Sequence, residues 1–169
     1  MKELTLDLVN ELFRYDKETG DLIRKVSVSS RGKAGDRAGA VNGNGYYVTT
    51  IEGAKYRNHR VIFLMHHGFL PACLDHIDTN KLNNRIENLR PATYSQNQYN
   101  SGMRKDNTSG VKGVTWNSKS SKWQVQIKYN GKYNYLGLYR TVTEATTAIH
   151  KVREQLHGEF VNHGVCEES

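Results

Sequence analysis

Asp75 and His76 are adjacent in the chain, and asparagines at 80, 83, 84 and 88 lead from them to Arg90. These residue types can hydrolyse a phosphate ester. A carboxylate and an amide carbonyl are hard oxygen donors, the kind that magnesium and manganese accept while keeping several waters. They make Asp75 and Asn97 the candidate metal ligands. An imidazole that is neutral near pH 7 can take a proton from a water attacking phosphorus, which makes His76 the candidate general base. One ion can bind a non-bridging oxygen and the leaving 3′ oxygen together. Asn88 can orient His76 or hold the loop through backbone bonds, and Arg90 can clamp a phosphate. Asparagine is also common in plain turns, so the residue types alone leave an ordinary polar loop open.

Chemistry at one point requires elements that bring these groups there. Asp75 and His76 read as a strand, with Thr79-Asn80 and Asn83-Asn84 as turn formers. Residues 74–90 then fold as a hairpin with a long loop that returns Asn88 opposite the Asp-His pair. A helix beginning near Thr93 carries Asn97. Upstream, Leu4, Leu8, Val9 and Leu12 fall at helical spacing, and "DKETGDLIRKV" reads as a turn leading to a strand. Residues 29–45 are Gly-rich and read as a loop or loose hairpin with Arg31, Lys33 and Arg37 exposed, available to phosphates. "GYYVTTI" reads as a strand. "NHRVIFLMHHG" reads as a helix ended by Gly68, with Val61, Ile62, Leu64 and Met65 in the core. His66 and His67 fall in its last turn, where the helix dipole favours them as caps.

The C-terminal third is patterned differently. "KWQVQIKYNGKYNYLGLY" predicts a hairpin about an Asn130-Gly131 type I′ turn. Alternation puts Trp123, Val125, Ile127 and Tyr129 on one face, and Gln124, Gln126 and Lys128 on the other. A two-residue turn pairs Lys128 with Tyr133, Gln126 with Tyr135 and Val125 with Leu136. Leu136 and Leu138 then join the apolar face, and Tyr133 and Tyr135 the polar one. "VKGVTW" supplies a third strand. Thr141 and Glu144 form a capping box for a helix whose stripe of Ala145, Ala148, Ile149, Val152 and Leu156 covers the apolar face. What stays exposed is a face of lysine, glutamine and tyrosine.

Charge supports a localised contact with a polyanion. The chain of 169 residues carries a net charge of +7, and residues 102–140 hold eight basic side chains against one acid, Asp106. Hydrophobic residues make up 37%, too few for one large core. There is no apolar run long enough to span a bilayer and no signal peptide, so a cytoplasmic protein without a membrane partner is expected. Cys73 and Cys166 form no C-x-x-C pair, which argues against a zinc ribbon and for free thiols.

Two resemblances emerge from these residues. "GVKGVTW…KWQVQI…YLGLYRTVTEATTAIHKV" resembles the plant ethylene-response-factor (Apetala-type) DNA-binding domain over residues 109–162. That resemblance implies DNA contacts from Lys112, Thr115, Trp116, Gln126, Lys128, Tyr133 and Tyr135, and alternation adds Gln124. The family often has Arg at several of these positions and Trp where Tyr135 stands. "HRVIFLMHHG…P…LDHIDTNKLNNRIENLRPATYSQNQYN" resembles an HNH endonuclease of the phage and intron-associated homing type over residues 57–100. It implies Asp75 and Asn97 as ligands of Mg²⁺ or Mn²⁺, His76 as general base and Asn88 as the middle asparagine. Asn97 stands where many such enzymes have His, which argues against a tightly held zinc. His59 and Arg60 resemble the family's lead-in.

The expected fold class is α+β: a ββα-metal module over residues 1–101 with its core at 57–100, a linker at 102–108, and a three-stranded antiparallel sheet packed on one helix at 109–162. The expected function is a metal-dependent endonuclease acting on double-stranded DNA, as a nickase or a double-strand cutter, without a small-molecule cofactor. A monomer is favoured, in the cytoplasm of a bacterial host if the gene is of phage origin. The competing reading is a non-catalytic DNA-binding regulator on a degenerate HNH scaffold.

Overall fold

The computed structural model describes residues 4–29 and 32–164 and shows a mixed α+β chain of small antiparallel sheets. Arg31 and Cys166 lie outside the described residues. The chain divides into two compact units, residues 1–92 and 93–169. The helix after Thr93 and the expected linker at residues 102–108 both fall in the second of these units.

In the first unit, helix α1 (Leu6–Leu12) begins at Thr5, whose hydroxyl accepts a hydrogen bond from the Leu8 amide. Strands β1 (Phe13–Tyr15) and β2 (Leu22–Arg24) pair antiparallel. A second sheet has the order β3-β4-β5, with β3 at Ala40–Val41, β4 at Tyr47–Ile51 and β5 at Ala54–Arg57. Helix α2 (Asn58–His67) buries Val61, Ile62, Phe63 and Leu64 in succession, and Gly68 ends it in the left-handed region. These side chains form one core with Val9, Phe13, Leu22, Ile51, Leu74 and Leu89. His66 meets Tyr15 edge-on and His67 stacks on Phe63, so both imidazoles pack at the C-terminal turn. The last pair of strands, β6 (Cys73–His76) and β7 (Leu89–Ala92), is antiparallel and carries the candidate site between its ends.

In the second unit, helix α3 (Tyr94–Tyr99) opens with a capping box between Thr93 and Gln96. The sheet has the order β10-β9-β8, from β8 (Val114–Asn117), β9 (Lys122–Tyr129) and β10 (Lys132–Tyr139). Helix α4 (Val142–His157), capped by Thr141 and Glu144, packs Ala145 and Ile149 onto Val114 and Val125. Gly113 makes this packing possible. Its φ is +82°, and a Cβ there would lie 2.5 Å from Ile149 Cδ1 and 2.7 Å from the Gln126 carbonyl oxygen.

The hairpin register agrees with the turn chemistry from Lys132↔Tyr129 to Tyr135↔Gln126 and then shifts. Val125 pairs with Gly137 rather than Leu136, Gln124 with Leu138, and Trp123 with Tyr139. One extra residue at Leu136 makes a β-bulge, and every side chain beyond it changes face. Leu138, expected on the apolar face, is therefore exposed opposite Gln124. Tyr139 takes its place against the core.

Candidate functional site

The register of β6 and β7 sets Asp75 directly opposite Arg90, and His76 opposite Leu89. Arg90 Nε and Nη2 both donate to Asp75 Oδ2, at 2.9 and 2.8 Å, and the carboxylate side chain is only 5% exposed. Arg90, expected to clamp a phosphate, thus holds the candidate metal-binding carboxylate. A buried charge pair of this kind fixes geometry, because either partner alone would be an uncompensated charge.

The loop between the strands is a chain of asparagine and aspartate turns. Asp78 Oδ1 accepts from the Asn80 amide, Asn80 Oδ1 from the Leu82 amide, and Asp78 Oδ2 from Asn83 Nδ2. Thr79 adopts φ +66° in the tightest part. Asn88 closes the loop: Nδ2 donates to Asp78 Oδ1 and the Asn83 carbonyl, while Oδ1 accepts from the Asp78 amide. Of the two roles open to Asn88, the structure places its side chain in the second, holding the loop.

The loop delivers a different asparagine to the candidate base. Asn84 is 2% exposed, and its Oδ1 lies 3.1 Å from His76 Nε2. With the amide oxygen as acceptor, the ring proton sits on Nε2 and the lone pair on Nδ1. Burial pushes the His76 pKa below its ordinary value, against the hydrogen bond that its ring donates to Asn84 and the charges of Asp78 and Asp75. The imidazole is consequently neutral at pH 7, the form that can accept a proton. The sequence marks Asn84 only as a turn former; nothing periodic in it says which of the loop's five asparagine and aspartate side chains faces the base.

His59, in the first turn of α2, stands edge-on to His76 with ring centroids 4.9 Å apart. Burial, then His76, Arg57 and Arg60, bring its pKa down to about 3. Arg60 donates to the Pro71 carbonyl, tying α2 to the segment before β6.

Asn97 lies in the middle of α3, half-buried, within the second unit. Among the described residues no three His, Cys, Asp or Glu side chains cluster as a metal site. The Asp75 carboxylate is a hard oxygen donor, of the kind that suits magnesium or manganese rather than zinc.

On the second unit, Thr115 pairs with Gln124, Gln126 with Tyr135 and Lys128 with Tyr133, so these six side chains share one face. Tyr133 is 70% and Tyr135 61% exposed. Trp116 does not belong to this face. It pairs with Trp123, their rings edge-to-face at 5.1 Å, on the side that carries Val114 and Val125. Lys112 is also differently employed: its ammonium donates to the carbonyls of Tyr99 and Ser101, and burial with nearby Arg153 lowers its pKa to about 8. Lys128 donates to Gln98 Oε1 and lies 5.8 Å from the Tyr133 ring centre. A cavity of about 640 Å³ is lined by Thr115, Gln126, Lys128, Tyr133 and Arg104, among others. In the Gly-rich loop of the first unit, Lys33 is exposed and Arg37 lies over the Tyr47 ring at 4.5 Å.

Residues 56–99 match the HNH endonuclease family. Protein 3.8 of Escherichia phage T7 is 38% identical over 88 residues, which cover 52% of this chain and 71% of that protein. An uncharacterized HNH endonuclease of Acanthamoeba polyphaga mimivirus is 34% identical over 121 residues, covering 70% of this chain and 62% of the viral protein. No solved structure matches significantly. No helix among the described residues is long and apolar enough to cross a membrane.

Proposed function

Since the chain carries an HNH endonuclease domain and belongs to the family of Protein 3.8 of Escherichia phage T7, we propose that it is a metal-dependent endonuclease that hydrolyses phosphodiester bonds in double-stranded DNA. One observation carries the reading: the HNH match encloses a buried, neutral imidazole whose Nε2 is held by a buried amide. His76 accepts a proton from water at Nδ1. Asn84 fixes the ring and its tautomer, Asn88 fixes the loop that carries Asn84, and Arg90 fixes Asp75. Asp75 would hold Mg²⁺ or Mn²⁺, with Asn97 the second ligand that the HNH resemblance implies, and the ion would supply Lewis-acid stabilisation of the departing 3′ oxygen. Hydrolysis leaves 5′-phosphate and 3′-hydroxyl ends. His59 keeps the base in an uncharged, water-poor wall.

The second unit is the proposed DNA-holding module. Thr115, Gln124, Gln126, Lys128, Tyr133 and Tyr135 form its contact face. Glutamine can read base edges in the major groove, lysine meets phosphate or guanine, and tyrosine packs on sugars. Two weak contacts on one chain raise each other's effective concentration, so neither needs high affinity.

A non-catalytic DNA-binding regulator has one observation in its favour, the engagement of Asp75 by Arg90. One assay separates the two. Supercoiled plasmid is incubated with wild type and with His76→Ala in Mg²⁺ or Mn²⁺. Nicked or linear product from wild type alone supports the enzyme. DNA binding without cleavage in both metals would establish the regulator instead.

A further inference from the structure

Arg57 ends β5, and Lys81 lies in the loop between β6 and β7. Both direct a cation onto one aromatic ring: Arg57 Cζ lies 4.4 Å and Lys81 Nζ 5.0 Å from the ring centre of Tyr46. That ring also packs against His59 at 5.4 Å and His76 at 6.1 Å. Tyr46 is itself fixed. Its amide donates to Asn42 Oδ1, and its carbonyl accepts from the Asn42 amide. Lys81 donates to the Asn44 carbonyl at 3.2 Å, which ties the asparagine loop to the turn before β4.

Both basic side chains are exposed, and among the described residues neither forms an ion pair with a carboxylate. Arg90, by contrast, is paired with Asp75, and Arg37 with Asp21 at 3.9 Å. Two like charges on one ring repel each other and add nothing to the core. Cation–π contact with Tyr46 offsets part of that cost and orients both groups. An arrangement of two oriented, unneutralised cations fits an anion with repeating negative charge. Its place beside the neutral ring of His76 identifies that anion.

We propose that Tyr46, Arg57 and Lys81 form a phosphate cradle that seats the DNA backbone next to His76. Arg57 and Lys81 contact phosphates flanking the scissile bond, and Tyr46 is a positioning residue that aims both cations and abuts the base. The proposal rests on the nuclease reading for its position in the reaction, while its binding part can be measured alone.

The test uses full-length protein in two arms. In the binding arm, a short duplex is titrated with His76→Ala protein at salt concentrations of about 50 to 200 mM, with Arg57→Gln or Lys81→Gln added. Each neutralisation should flatten the slope of log affinity against log salt by about one. Arg57→Lys should restore the slope. In the cleavage arm, Arg57→Gln and Lys81→Gln should each raise KM about tenfold on supercoiled plasmid, with smaller changes in kcat. Tyr46→Leu keeps both charges and should lower kcat instead. Melting curves should match the wild type, since both cations are exposed. Unchanged salt slopes and unchanged KM in both neutralised variants would overturn the cradle even if the wild type cleaves. A flattened slope in the neutralised variants, together with a wild type that never cleaves, would keep the cradle and refute the nuclease.

Discussion

His59 should make the first unit acid-labile in a way that one substitution removes. Its ring is 3% exposed, and its pKa is lowered from 6.5 to about 3. A histidine with a depressed folded-state pKa stays neutral in the fold while the unfolded chain takes up a proton. Its neutral burial is therefore without penalty above pH 6.5, and stability is lost as pH falls from there toward 3. The two pKa values give a loss of about 2 kcal/mol at pH 5 and about 4 kcal/mol at pH 3. Phenylalanine keeps the ring against Tyr46 and His76 but cannot titrate. Urea unfolding of wild type and His59→Phe should be followed at pH 7.5 and pH 5, with hydrogen exchange of the α2 amides reporting on this unit. With an m value near 2 kcal/mol/M, the wild-type midpoint should fall by about 1 M more than that of the variant. Equal shifts in the two proteins would show that His59 is protonated in the fold, and would refute the dry wall assigned to it.

Other consequences are sharper for activity. Asn84→Leu removes the acceptor for His76 Nε2 and should lower kcat by about 10- to 100-fold with little change in KM, and an unchanged kcat would return the base-orienting role to Asn88. Arg90→Gln removes both of its hydrogen bonds to the buried Asp75 and should cost about 3 kcal/mol, seen as a fall in Tm of about 10 to 20 °C. An unchanged Tm would show that the pair is solvated. Tyr133→Ala and Gln126→Ala should weaken DNA binding by about tenfold each, whereas Trp116→Ala, on the other side of the sheet, should alter melting rather than affinity in a gel-shift titration.

What the sequence discloses is what repeats or caps. The run Val61–Leu64 followed by Gly68, the Thr141–Glu144 capping box and the Asn130-Gly131 turn each specify an element by local rules, and the structure has all three. The hairpin becomes illegible at Leu136, because the bulge depends on a backbone conformation that includes Gly137 at φ +130°. Trp116 follows alternation within β8, so reading β8 against β9 by strand pairing would have separated it from Thr115. Arg153 is less accessible to such reasoning. It falls four residues after Ile149 and is buried, donating through Nη2 to the Lys112 carbonyl and lying 3.1 Å from His163 Nδ1 through Nη1. Burial lowers its pKa to about 10. A polar pattern places arginine outside a core; only the long-range carbonyl that receives it explains the exception.

The same limit explains the asparagine loop. Asp75 and His76 can be recognised by type, but adjacent residues on a strand point to opposite faces, so each needs its own support. Asp75 obtains it across the sheet, from Arg90 at the paired position. Opposite His76 stands Leu89. The imidazole's hydrogen-bond partner Asn84 comes from the loop, and a loop can place a buried amide accurately only if its own backbone is held. Asp78, Asn80, Asn83 and Asn88 supply that constraint through side-chain-to-backbone bonds. The high asparagine content thus builds a rigid loop support for the Nε2 side of one imidazole. On this account Asn88→Ala should fail at the same step as Asn84→Leu, by letting Asn84 drift from His76. Their kcat losses should then fall well short of additive in the double variant, because both act on one contact.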